Sequence, residues 1–229
     1  LTPEGAIPFA TRLVGRHNLE NILCAVGTAV ALGIPGDRIR AGIEALDSVP
    51  GRLEPVPDPS GRFVYVDYAH TPAALENVLQ CLQPLARGRI ICVFGCGGDR
   101  DPGKRPQMGE IAARMSDLAI VTSDNPRSEN PARIIDQVLE GIRRADVRTY
   151  SPEELARGLG ARGYAVEPDR RRAIRLAVAA ARPGDTILIA GKGHETYQLL
   201  GARSIDFDDR AEARRALADA ADPAREDRN

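Results

Sequence analysis

Arg89-Ile90-Ile91-Cys92-Val93-Phe94-Gly95-Cys96-Gly97-Gly98-Asp99-Arg100-Asp101-Pro102-Gly103-Lys104-Arg105 decides the fold. A continuous apolar run of strand length empties into glycines, and the spacing beyond it predicts a helix from about Pro106 to Met115. The same pattern recurs on both sides. Phe63-Val64-Tyr65-Val66 is a strand run followed by a helix from Thr71 to about Gln83. Leu118 to Thr122 leads through Asp124-Asn125-Pro126-Arg127 to a helix from Pro131 to Arg144. A short strand is read at 147–149 and a helix from Asp169 to Arg182. Asp185 to Ala190 is a strong strand that ends in Gly191-Lys192-Gly193-His194-Glu195. A hairpin around Gly201 and a helix from Asp209 to Ala220 complete the unit. Strands that alternate with helices imply an α/β domain with a mostly parallel sheet covered on both faces.

The first 55 or so residues read differently. Apolar residues at Leu19, Ile22, Leu23, Val26, Ala29 and Val30 form a helical stripe that Gly33 ends, and a second helix begins near Asp37. Pro55 to Gly61, with three prolines and a Ser-Gly pair, suits a linker between domains.

In parallel sheets ligands bind beyond the carboxyl ends of the strands. The unusual loops all fall there: 67–71, 95–105, 124–127 and 191–195. Lysine occurs only at Lys104 and Lys192, and histidine only at His17, His70 and His194, in an arginine-rich chain. Both lysines lie in these loops, where a compact ammonium could meet an anion. The glycines at 95, 97 and 98 follow a strand as a dinucleotide-binding turn does, but no third glycine follows at the right spacing, so a tight structural turn fits equally. Arg100, Lys104 and Arg105 suit a carboxylate or phosphate partner, or a solvated charge cluster. Asp124-Asn125-Pro126-Arg127 could grip an amino acid, with Arg127 on the carboxylate and Asp124 or Asn125 on the amine. As a bare tetrapeptide it reads more readily as a turn with a helix cap. Glu195 is a further ammonium acceptor, and Gly191 and Gly193 permit close backbone approach.

The bulk numbers narrow the classes. A formal net charge of −1 gives no general pull toward nucleic acid or an anionic membrane. No apolar run reaches the roughly 18 residues of a membrane span, and the N-terminus lacks the features of a signal peptide. The four cysteines show no C-x-x-C spacing and read as buried free thiols of a reducing cytosol. The chain does not open on methionine and reads as a segment of a longer protein, with 221–229 as a frayed tail.

Six motifs occur in order: His17-Asn18-x-x-Asn21, Gly51-Arg52-Leu53-Glu54, Asp67-Tyr68-Ala69-His70-Thr71-Pro72, Gly95 to Asp101, Asp124 to Arg127, and Gly191 to Glu195. Together they resemble the Mur ligases, and within that family the diaminopimelate-adding members, from about Val14 to Leu217. The resemblance implies that residues 1–55 close a central ATP-binding domain. It implies that 56–220 form a Rossmann-like domain that brings the incoming amino acid. By the same resemblance Asn18 and Asn21 lie near adenine, Arg52 on the ATP phosphates, Asp67 on the ribose, and the His70 loop close to the nucleotide. The meso-diaminopimelate site comprises Arg100, Asp124, Asn125, Pro126, Arg127, Gly191 and Glu195, with Asp124 to Arg127 matching the motif that selects this amino acid over lysine. The implied partners are ATP, magnesium and a UDP-N-acetylmuramoyl-dipeptide whose carboxylate is activated as an acyl phosphate. The family's UDP-binding domain, P-loop and magnesium-organising residues are not found in this sequence, which names no metal ligand of its own and is not expected to ligate alone. Lysine-adding ligases, folylpolyglutamate synthetases and a non-catalytic amino-acid-binding module are the alternatives. A nicotinamide dehydrogenase is disfavoured by the glycine spacing.

Overall fold

The computed structural model describes residues 5–221. Seven strands form its main sheet: β1 (Glu54–Val56), β2 (Phe63–Asp67), β3 (Ile90–Phe94), β4 (Leu118–Val121), β5 (Arg148–Thr149), β6 (Gly163–Val166) and β7 (Thr186–Ala190). Their order is β1-β2-β7-β3-β4-β6-β5, and every neighbouring pair is parallel except β1 with β2. A separate antiparallel hairpin pairs β8 (Tyr197–Leu200) with β9 (Arg203–Asp206). The helices are α1 (Arg16–Ala31), α2 (Gly36–Glu44), α3 (Pro72–Leu82), α4 (Lys104–Met115), α5 (Pro131–Ile142), α6 (Pro152–Arg157), α7 (Arg170–Ala180) and α8 (Asp209–Ala221).

β3 is buried at every position because helices cover both faces. Ile91 and Val93 join Val66, Ile120 and Ile189 against Ile174 and Val178 of α7 and Leu217 of α8. Cys92 and Phe94 join Val121 and Leu188 against Leu79 of α3, Met108 of α4 and Val138 of α5. The helices start where their side chains can absorb orphan amides. Thr71 accepts from the Ala74 amide with Pro72 behind it, and Asn130 accepts from the Ala132 amide with Pro131 behind it.

The structure corrects four expectations. The Pro55–Gly61 stretch is not wholly linker: Glu54–Val56 pairs with Val64–Val66, so a boundary at 55/56 cuts a strand. Pro55 is tolerated there because β1 is an edge, where a missing amide leaves no ladder bond unmade. β6 and α6 are additional elements, β6 lying between β4 and β5. Only Cys92 and Cys96 are buried thiols, pushed up to about 12 by that burial, whereas Cys81 is half-buried and Cys24 exposed. The stripe on α1 is fully buried only at Ile22: Val26, Ala29 and Val30 are half-buried, and Leu19 and Leu23 are exposed. Ala221 is the last residue of α8, and the rest of the expected tail, 222–229, lies outside the described residues.

Candidate functional site

Two cavities of about 480 Å³ each meet at the turn that leaves β2. The first lies between α1 and α3 and is lined by Asn18, Asn21, Arg52 and Asp67, together with Ile22 and Asn77. Asn18 is buried, its Nδ2 donating to the Val14 carbonyl at 2.7 Å. Asn21 is exposed at the rim. Arg52 is exposed too, with its guanidinium 5.2 Å from the Tyr68 ring centroid and no ion pair among the described residues. Asp67 is buried and accepts the Leu53 amide at 2.7 Å and the Ala69 amide at 2.8 Å. Burial raises its pKa, against the pull of those two amides. His70, grouped with these residues by the sequence reading, lines the second cavity instead, its Nδ1 2.8 Å from the Tyr68 carbonyl.

The second cavity opens at the carboxyl ends of β2, β3, β4 and β7. Arg100, Asp124, Asn125, Arg127, Gly191 and Glu195 all line it. Pro126 is buried behind the wall, with its carbonyl packed on Gly98: a Cβ built at Gly98 would lie 1.9 Å from the Pro126 oxygen. The glycine loop therefore serves close packing of 95–98 against 122–126, the tight-turn alternative of the sequence reading. Tyr68 and Tyr197 also line the cavity. Tyr68 was legible as part of the 67–72 motif, whereas nothing in the sequence distinguished Tyr197.

Arg127 holds its backbone at φ 51°, in the left-handed region. The β8–β9 hairpin secures it there. The Arg127 amide donates to Leu199 O at 3.2 Å, and the Gly201 amide donates to Arg127 O at 2.8 Å. The Arg127 Nη1 donates to Gly98 O at 2.9 Å, which lays the guanidinium over the strand tips. Two further bonds stitch the hairpin to the same loop: Gln198 Nε2 to Asp124 O at 2.7 Å, and the Leu199 amide to Asn125 Oδ1 at 3.0 Å.

The three cations of the 100–105 cluster have different fates. Arg100 is exposed at the cavity wall. Lys104 donates to the His70 carbonyl at 2.7 Å. Arg105 is turned inward and neutralised, donating to both oxygens of Glu129 and to Gln137 Oε1. Lys192 likewise meets the protein's own acids rather than an external anion, since Asp124, Asn125 and Glu195 surround its fully buried ammonium.

The Arg105 pair has a testable acid signature. The Arg105 guanidinium and the Asp99 amide hold the Glu129 carboxyl down to about 2 from 4.5. With the folded value below the unfolded one, the contribution is present above 4.5 and is lost as pH falls through about 2. Glu129→Gln is expected to lower the urea midpoint at neutral pH and to flatten its decline across that acid window. A variant curve that simply parallels the parent would show that the pair contributes nothing.

Residues 51–193 match the family model described as Mur ligase, glutamate ligase domain. A UDP-N-acetylmuramoyl-L-alanyl-D-glutamate–2,6-diaminopimelate ligase of Geobacter metallireducens is 58% identical over 95% of this chain and 42% of its own length. The corresponding ligase of Gloeobacter violaceus is 52% identical, again over 95% and 42%. A solved structure of such a ligase superposes with a TM-score of 0.67 at 36% identity, over 96% of this chain and 42% of that one. The chain thus spans about two fifths of the length of the curated relatives it matches. The matched segment runs from the turn at Gly51 to Gly193 and takes in the strand-tip loops from Asp67 to Gly191. On that match, the chain belongs to the Mur ligase family.

Proposed function

We propose that this chain carries the amino-acid site, and part of the nucleotide site, of an ATP-dependent amide ligase. The parent enzyme adds meso-2,6-diaminopimelate to UDP-N-acetylmuramoyl-L-alanyl-D-glutamate during cytoplasmic peptidoglycan precursor synthesis. Residues before about Gly51 close the ATP-binding domain, and the sheet from β1 onward is the amino-acid-binding domain. ATP converts the glutamate side-chain carboxylate to an acyl phosphate, the amine of diaminopimelate attacks it, and phosphate leaves as the amide forms. Among the described residues no group of three or more His, Cys, Asp or Glu is placed to hold a metal ion.

The observation that carries the reading is the charge layout of the second cavity. Arg100 and Arg127 lie on its wall together with the carboxylates of Asp124 and Glu195. A guest with a carboxylate and an ammonium on the same carbon satisfies such a wall. Arg127 makes no ion pair among the described residues, and its Nε and Nη2 groups remain available for a two-pronged contact with a carboxylate. The two cavities share the turn at 67–70, with Asp67 on one side and Tyr68 and His70 on the other. An acyl phosphate made beside the nucleotide would therefore form next to the incoming amine, which is the positioning such a reaction needs.

Titration calorimetry of this chain with meso-diaminopimelate and with L-lysine tests the reading. Lysine lacks the second carboxylate and would leave Arg127 desolvated without a partner, so its binding should be about tenfold to a hundredfold weaker. Equal affinities for the two amino acids, or no binding of meso-diaminopimelate, would overturn the assignment.

A further inference from the structure

The side chain of Lys192 is fully buried behind the second cavity. Its Nζ lies 3.4 Å from Asp124 Oδ1, 3.4 Å from Glu195 Oε2 and 3.1 Å from Asn125 Oδ1. Asn125 completes the cluster by donating from Nδ2 to Glu195 Oε2 at 2.9 Å. The ammonium thus engages one oxygen of each carboxylate. The other oxygens, Asp124 Oδ2 and Glu195 Oε1, accept no hydrogen bond from the described residues, and both side chains line the cavity. Space beside Oδ2 is kept open by Gly191, where a Cβ would sit 3.3 Å away. Asn125 Oδ1 is used twice, by Lys192 and by the Leu199 amide, so Asn125 fastens the cluster to the hairpin and has no acceptor left for a guest.

We infer that Lys192 is a positioning residue that ties down the inner oxygens of Asp124 and Glu195, so that their outer oxygens form a preset receptor for the ammonium group of the amino acid beside Arg127. The inference rests on the amino-acid-site reading above and deepens it. Two carboxylates and one lysine leave a single negative charge, which one guest ammonium neutralises. Without Lys192 the two acids would repel across the gap it fills, and they would swing apart or share a proton instead of facing the guest together. The geometry is preorganised, so ordering the acids costs nothing at the moment of binding.

The test compares two ligands on this chain. Meso-diaminopimelate carries two carboxylates and two ammonium groups; heptanedioate keeps the carboxylates and has no ammonium. In Lys192→Met, affinity for meso-diaminopimelate should fall about tenfold to a hundredfold. Affinity for heptanedioate should stay within about twofold, because only the ammonium receptor is disturbed. Equal losses for both ligands would mean a merely structural role, and no loss for either would mean no role; each result overturns the inference. Failure of the unaltered chain to bind meso-diaminopimelate would instead strike the underlying reading, and the inference with it. Should Lys192→Met not fold, the unaltered chain carries its own probe, since it holds only two lysines. The 15Nζ resonance of Lys192, told apart from Lys104 with Lys104→Met, should move on adding meso-diaminopimelate and stay in place with heptanedioate. A resonance indifferent to meso-diaminopimelate would refute the assignment.

Discussion

Replacing Arg127 with alanine should weaken meso-diaminopimelate binding by about 100-fold or more, while ATP binding stays within about twofold. The guanidinium is half-buried over the strand tips, with one nitrogen spent on the Gly98 carbonyl and the remaining N–H groups unclaimed by any ion pair. A carboxylate gripped by two parallel N–H groups gains a charge-assisted contact that alanine cannot replace, and the guest's acid would be left facing the wall unpaired. ATP is expected in the other cavity, lined by Asn18, Asn21, Arg52 and Asp67, which Arg127 does not line. Calorimetric titration of the variant with each ligand separates the effects, and matching losses for both would contradict the division of labour. Arg127→Lys should fall between the two, because an ammonium keeps the charge but loses the planar fork.

The second large effect is on stability. Arg170 and Asp209 form a fully buried ion pair between the first turns of α7 and α8, with contacts of 2.8 Å and 2.7 Å. The same guanidinium donates to the carbonyl of Ala190 at 2.9 Å, at the end of β7 just before Gly191, and its Nη1 has no partner. Asp209→Ala would strand that charge in the core and should cost about 3–5 kcal/mol, read as a lower urea midpoint. Replacing both residues, as Arg170→Met with Asp209→Leu, should restore most of the loss, since the desolvation cost of the pair disappears with it. A double variant no more stable than Asp209→Ala would show that the bond to Ala190, rather than the charge balance, is what matters.

Most of the sheet was legible because buried parallel strands are written as unbroken apolar runs, as at 90–94 and 186–190. β6 was not, since Gly163-Tyr164-Ala165-Val166 is too short and mixed to stand out, and it becomes a strand by lying between β4 and β5. α6 does carry a signal in its residues. Ser151 and Glu154 form a capping box around Pro152. β1 was hidden by its proline, which suits an edge strand and a linker alike. In the site, the loops that converge were all named from sequence, because glycine, proline and charge cluster at strand ends. The partners within them could not be. Nothing in the residue types said that Arg105 would be consumed by Glu129, that Lys192 would face inward, or that His70 would leave Asp67 for the other cavity. Those outcomes depend on which side chain reaches which neighbour across 24, 68 or more residues of chain.

The hairpin has a consequence of its own. Arg127 is held by the carbonyl of Leu199 and the amide of Gly201, main-chain groups that do not depend on the side chain, proline at 201 excepted. Apart from Gln198, whose side chain bonds the Asp124 carbonyl, substitutions along β8 can thus be absorbed while the guanidinium stays where it is. Inserting or deleting one residue between Thr196 and Leu199 cannot, because a strand shifted by one position turns its carbonyls and amides to the opposite edge. On the proposed function, discrimination between amino acids is thereby recorded partly in the length of the hairpin as well as in Tyr197, its one side chain on the cavity wall, and a single-codon insertion or deletion there would alter it more than most changes of side chain.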